Sequence, residues 1–176
     1  RSGLIAPAYG ESSQGRYLLH LGYYWAQSDY TDLALRADGY TNGSWAMYGD
    51  FRYALRYLLN GGLSAAMKTT VLGEPGDPGY SKQRDFNLNI THNQEFDPTT
   101  RLVVNFTFTT GSYYSNTTTS YDDLLRQNVV SNATFSKWWE GTPNSFTVNV
   151  RRDQNLQALP GQVEINDLLP SIGFSR

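Results

Sequence analysis

Between Trp45 and Tyr57 the chain changes character at every residue. Trp45, Met47, Gly49, Phe51, Tyr53, Leu55 and Tyr57 fall on one face, and Ala46, Tyr48, Asp50, Arg52, Ala54 and Arg56 on the other. A period of two is the signature of a strand with two different faces. The run spans twelve residue steps, about 40 Å at roughly 3.3 Å per residue. Soluble strands are usually near half that length. Tilted by about 45°, such a strand rises ~28 Å, close to the height of the apolar band around an outer-membrane barrel.

The same alternation recurs along the chain. Tyr17, Leu19, Leu21, Tyr23 and Trp25 oppose Arg16, Leu18, His20, Gly22 and Tyr24. Further alternating runs lie at 32–38, 63–71, 85–91, 102–109, 132–136 and 146–151, and a less regular one at 162–175. Pro170 interrupts the last, which suits an edge or a strand end. Turn residues separate the runs: Asn42-Gly43, Asn60-Gly61-Gly62, Asp97-Pro98 and Gly141-Thr142-Pro143-Asn144, with Asn-Gly the strongest short hairpin signal. Two connections are longer, at 73–80 and 116–127. In the second, Ser120 with Asp123 three residues on forms a capping box for a short helix, the only helix in this reading. The pattern predicts roughly nine antiparallel strands in an up-and-down meander, residues 15–176, behind a lead-in at 1–14.

Composition narrows the class. Lys and Arg total 14 against 16 Asp and Glu, a balance unlike the basic excess of a nucleic-acid binder. Cysteine is absent, which excludes disulfide scaffolds and thiol chemistry. Aromatics reach 14%, against the poverty of a disordered chain. No run approaches the ~18 apolar residues of a membrane helix. The sequence begins at Arg1 with no apolar signal region and reads as a mature product or an excerpt. Only 39% is hydrophobic and 17% charged; Asn, Ser and Thr fill 44 positions. A soluble barrel or sandwich hides its apolar face, whereas a membrane barrel turns it to lipid around a polar lumen. Aromatics at the ends of the apolar faces favour the second: Trp25, Tyr30 and Tyr57 at one end, Tyr40 and Trp45 at the other, two interfacial girdles. The polar residues Arg16, His20, Arg36, Asp38, Asp50, Arg52, Arg56 and Lys68 then face the lumen as a salt-bridge network, or as a surface that handles an anionic solute.

Catalytic signals are weak. His20 and Asp38 lie on the polar faces of adjacent strands, but no G-x-S-x-G elbow accompanies them. No cluster has zinc-ligand spacing, and the segment 73–79 matches no phosphate loop. The reading is a protein without enzyme activity, metal or cofactor.

A set of motifs in order narrows the reading further. The opening Arg1-Ser2-Gly3-Leu4-Ile5-Ala6-Pro7-Ala8-Tyr9-Gly10, then Gly15-Arg16-Tyr17, Tyr23-Tyr24-Trp25 and Asp29-Tyr30-Thr31-Asp32-Leu33 resemble the start of the barrel of the LptD family, outer-membrane proteins of lipopolysaccharide assembly. Gly49-Asp50-Phe51-Arg52-Tyr53 is similar to the family's G-E-F-R-Y, and Leu169-Pro170-Ser171-Ile172-Gly173-Phe174-Ser175 to the L-P-S-L-S-F-S of its Bacteroidetes-like members. The resemblance implies the N-terminal part of a larger transmembrane barrel in the bacterial outer membrane. It implies lipopolysaccharide as cargo, an LptE-like plug lipoprotein in the lumen, and periplasmic Lpt bridge proteins reached through a preceding domain. It also implies a weakly paired lateral gate at the first strand, taken here as Arg16 to Ser28, with Tyr17, Leu19, Leu21, Gly22, Tyr23 and Trp25 as gate residues. Family members often carry proline in or beside that strand, where this one has Gly22. With that strand first, the long connections share the rim at which it starts, contrary to the habit of barrels. Two other readings fit the alternation: a small closed porin-like barrel, and a soluble carbohydrate-binding sandwich.

Overall fold

In the computed structural model, which describes residues 1–12, 15–110, 113, 128–156 and 165–176, the alternation becomes one continuous sheet. Its strands are β1 (Gly3–Ile5), β2 (Ala8–Ser12), β3 (Gly15–Ala26), β4 (Thr31–Tyr40), β5 (Trp45–Leu55), β6 (Leu59–Leu72), β7 (Ser81–Asp97), β8 (Thr100–Thr109), β9 (Asn128–Trp138), β10 (Ser145–Asn155) and β11 (Ile165–Ser175). From β3 onward each strand pairs antiparallel with the next, so the sheet is an up-and-down meander with β11 at one edge. Among the described residues its two edges do not pair with each other, and the sheet is open.

All nine expected strands are present as β3 to β11. Within the segment 1–14, expected as a lead-in, residues 3–5 and 8–12 belong to the sheet. β1 pairs with the second half of β3 (Leu4 opposite Tyr23) and β2 with its first half (Tyr9 opposite Leu18). The two share one register and together make a single crossing, divided at Ala6-Pro7. Proline has no N–H to give to the ladder. The short helix expected at Ser120 lies outside the described residues.

The added strand changes the direction of the whole array. The connections 27–30, 56–58, 98–99 and 139–144 lie at one rim, and the strand ends that flank 41–44, 73–80, 110–127 and 156–164 at the other. The first crossing therefore starts at the short-turn rim, opposite the long connections, which removes the conflict with barrel topology noted above.

Strand register assigns every side chain to a face. One face carries Leu33, Leu35, Met47, Phe51, Leu63, Ile90, Phe106, Phe108, Phe135 and Val148 in neighbouring rows. The other carries Asp32, Arg36, Asp50, Arg52, Ser64, Asn87, Asn89, Thr91 and Asn105. Apolar side chains are left open to the surroundings: Met47 is 60% exposed and Leu35 53%. The largest fully buried side chains are polar and sit toward the long-connection rim, Asp85 and Thr109 on the polar face and Thr69 and Gln154 on the other. Hydrophobic residues outside and polar ones inside is the reverse of a soluble sheet protein.

Candidate functional site

The polar face is concave. Toward the short-turn rim it encloses a trough of about 1130 Å³, bordered by Tyr24, Asp32, Arg36, Asp50, Arg52, Asn60, Ser64, Asn89 and Thr91. Charges on its floor are paired across strands. Arg36 on β4 donates to Asp50 on β5, and Arg52 Nε on β5 donates to Asp32 at 2.9 Å. The first pair is diagonal to the register, where long side chains still meet, and the second joins residues directly opposite each other. Both are partly solvated, so they position the side chains more than they stabilise the sheet.

A second polar row crosses toward the long-connection rim. In register, Asp38 stands beside Ala46, Ala46 beside Lys68, and Lys68 beside Asp85. Asp38 is 7% exposed and Asp85 1%. A buried carboxylate needs donors to offset lost hydration. Asp38 receives the backbone N–H of His20 at 2.6 Å and the Tyr48 hydroxyl at 3.1 Å, with His20 Nδ1 3.5 Å away. His20 and Asp38, read as neighbours in the sequence, are thus brought together. Among the described residues, three or more His, Asp or Glu do not gather there as metal ligands.

His20 departs from the alternation. Its φ is 60°, and the β3–β4 register slips by one residue between Leu18 and Leu21. The bulge reverses parity along β3. Leu18, Leu21, Tyr23 and Trp25 share the apolar face, whereas Tyr17, Leu19, Gly22 and Tyr24 lie on the polar side. The expected gate residues are therefore divided between faces. Their strand is the second crossing, not the first, because β1 and β2 lie outside it.

Other placements follow from register. Arg36, Asp38, Asp50, Arg52 and Lys68 share the polar face as expected. Arg16 stands opposite Glu11 on the side of Leu18, not on the polar face. Arg56 lies in the 56–58 turn, its guanidinium 4.7 Å from the centre of the Tyr57 ring. Both are corrections. Counting by two through a bulge or past a strand end gives the wrong side. Trp25, Tyr30 and Tyr57 gather at the short-turn rim and Trp45 at the opposite one. Tyr40 faces inward, its ring 6.2 Å from that of Tyr17, and does not join a belt on the apolar face.

The short-turn rim holds more aromatics than the sequence reading identified. Phe96 packs against Phe135, and Trp139 against Phe174. Tyr53 crosses the bare backbone of Gly61 to place its hydroxyl 2.6 Å from His92 Nδ1, while His92 Nε2 meets Gln94 Oε1 at 3.1 Å. A side chain at Gly61 would collide with the Tyr53 ring. Tyr53, Gly61 and His92 are neighbours only through the register of three strands, so the sequence carried no local signal for them.

Two opposed faces, strands long enough to cross a bilayer and an aromatic rim are the geometry of a barrel wall. The sequence matches the family described as LptD protein across residues 1–176. The chain belongs to the LptD protein family. That family comprises outer-membrane proteins of lipopolysaccharide assembly, and the sheet of this LptD-family chain is antiparallel and open among the described residues. Comparison with curated proteins finds no match. No helix among the described residues is long and apolar enough to cross a membrane.

Proposed function

We propose that the chain forms the first crossings of an LptD-type barrel in the bacterial outer membrane and one side of its lateral gate, with no catalytic activity of its own. The observation that carries this reading is the inverted polarity of the sheet, with a charged trough on the concave side and exposed apolar side chains on the other. In such a barrel the trough faces the lumen, where an LptE-like plug would pack and lipopolysaccharide would enter. The short-turn rim faces the periplasm, because barrels keep their long loops outside. The gate strand is then β1 with β2, and its proline is Pro7, inside the first crossing as in many family members. Periplasmic Lpt bridge proteins would join at that rim. The ending 169–175 favours a Bacteroidetes-like member.

A photoreactive amino acid at Leu4 or Tyr9 in the full-length protein, in cells, tests the gate. The side chains are 82% and 86% exposed. Lipopolysaccharide adducts are expected at both and not at Phe106, a control in the wall. Equal adducts at all three, or none, would sink the gate assignment.

A further inference from the structure

The ladder between the first two crossings has a gap. Ile5 pairs with Gly22 and Ala8 with Leu19, and between them Ala6-Pro7 faces His20-Leu21 without a pairing. Pro7 explains one side, since it has no N–H. The other side is the His20 bulge. The His20 N–H faces β4, as the backbone groups of Arg16 do, and is held there by Asp38 Oδ1 at 2.6 Å, with the backbone at a positive φ that residues other than glycine seldom adopt.

Asp38 is itself fastened. The Tyr48 hydroxyl donates to its second oxygen, Lys68 is two strands along the same row, and the carboxylate is buried. The His20 bulge is thus tied to the interior of the sheet through β5. A hydrogen bond to a charged acceptor out of water is among the stronger ones available. The bulge also fixes the parity of β3 from Leu21 onward, and so the face to which Leu4, opposite Tyr23, is turned. β1 has only three pairs to β3, all on the far side of the bulge, whereas β2 has five.

We propose that Asp38 is a positioning residue that latches the His20 bulge and thereby sets how readily β1 separates from β3, independently of β2. The reading rests on the assignment of β1 and β2 as the gate strand. It makes the edge strand two separately opening halves, the periplasmic half governed by a carboxylate in the lumen wall.

Hydrogen exchange of the full-length protein in nanodiscs tests it. In Asp38→Ala, exchange at Leu4, Ile5 and Gly22 to Tyr24 should rise about tenfold, the worth of one charged hydrogen bond. Exchange in β2 and across β5–β6 should stay at the wild-type rate. In His20→Gly, which keeps the amide and relieves the positive φ, β1 should exchange no faster than wild type. Tyr48→Phe removes one fastening and should give a smaller rise at the same amides; it stands in if Asp38→Ala does not fold. Unchanged exchange at β1 in both Asp38→Ala and Tyr48→Phe overturns the latch, as does an equal rise in β1, β2, β5 and β6. The photo-adducts at Leu4 and Tyr9 report the gate separately: their loss with the exchange pattern intact removes the gate and leaves the latch.

Discussion

At the N-terminal edge Pro7 divides the crossing into strands of three and five residues; at the C-terminal edge Pro170 lies inside an unbroken strand of eleven. The difference is where a spare residue falls. Between Asn149 and Arg151 the β10–β11 register slips, leaving Leu169-Pro170 as the longer side, and pairing resumes beyond it. The bulge absorbs the missing N–H. At Pro7 the register with β3 is unchanged across the gap, and the extra residue in β3 is directed toward β4 instead. One proline is accommodated and the other cuts the ladder, so edge strength depends on the neighbour as much as on the proline.

The largest expected effect separates two glycines near these edges. A Cβ on Gly22 would fall inside the Leu35 carbonyl oxygen and against the Arg36 backbone, both on β4. Gly22→Ala should cost roughly 2 kcal/mol or more, because backbone has to move. A Cβ on Gly173 of β11 would meet only the Thr147 carbonyl, at 4.0 Å, so Gly173→Ala should stay within about 0.5 kcal/mol. Urea midpoints read by heat-modifiable gel mobility would check both. Equal midpoint shifts would remove the asymmetry.

Next in size is the pair of prolines. Pro7→Ala returns an N–H at the gap and should slow exchange around Ile5 to Ala8 by about tenfold if the bond forms. Pro170→Ala, at a bulge, should change exchange in β11 much less. Slowing at both sites would show that β11 is also limited by its proline.

Between the edges, Arg36→Ala leaves Asp50 without its partner in a half-solvated trough. A cost of about 1 kcal/mol is expected in the same urea assay. A cost as large as that of Gly22→Ala would mean that the wall depends on its charges more than on its ladder.

The smallest effect belongs to the 98–99 turn, away from both edges. Hydrogen bonds from the Thr99 hydroxyl, the Thr100 hydroxyl and the Thr99 amide hold the exposed Asp97 carboxyl below the usual aspartate range. A depressed pKa contributes stability above the unfolded-state value, and that contribution is lost as pH falls through the lower folded value. A carboxyl titration by NMR should place Asp97 below an ordinary aspartate, and Thr99→Ala should return it upward.

The interior of the sheet was legible because its information is local. Alternation from β3 to β11 survives in the sequence wherever one face is apolar and the other polar. The N-terminal edge was not, because three residues and five residues around Pro7 are too short for a period and become strands only by pairing with β3. The inversion at His20 was hidden for a related reason. Its bulge depends on a carboxylate eighteen residues away, and counting by two runs straight through it. Tyr40 illustrates the same limit at a strand end, where a residue read as interfacial turns inward beside Tyr17.

Because β1 and β2 share one passage, the eleven strands make an even number of crossings, and Gly3 and Ser175 stand at the same rim. The array is therefore a set of whole hairpins. In the proposed barrel, lengthening or shortening it by a hairpin would leave the compartment of whatever adjoins either end unchanged, whereas removing the split strand alone would move one end across the membrane.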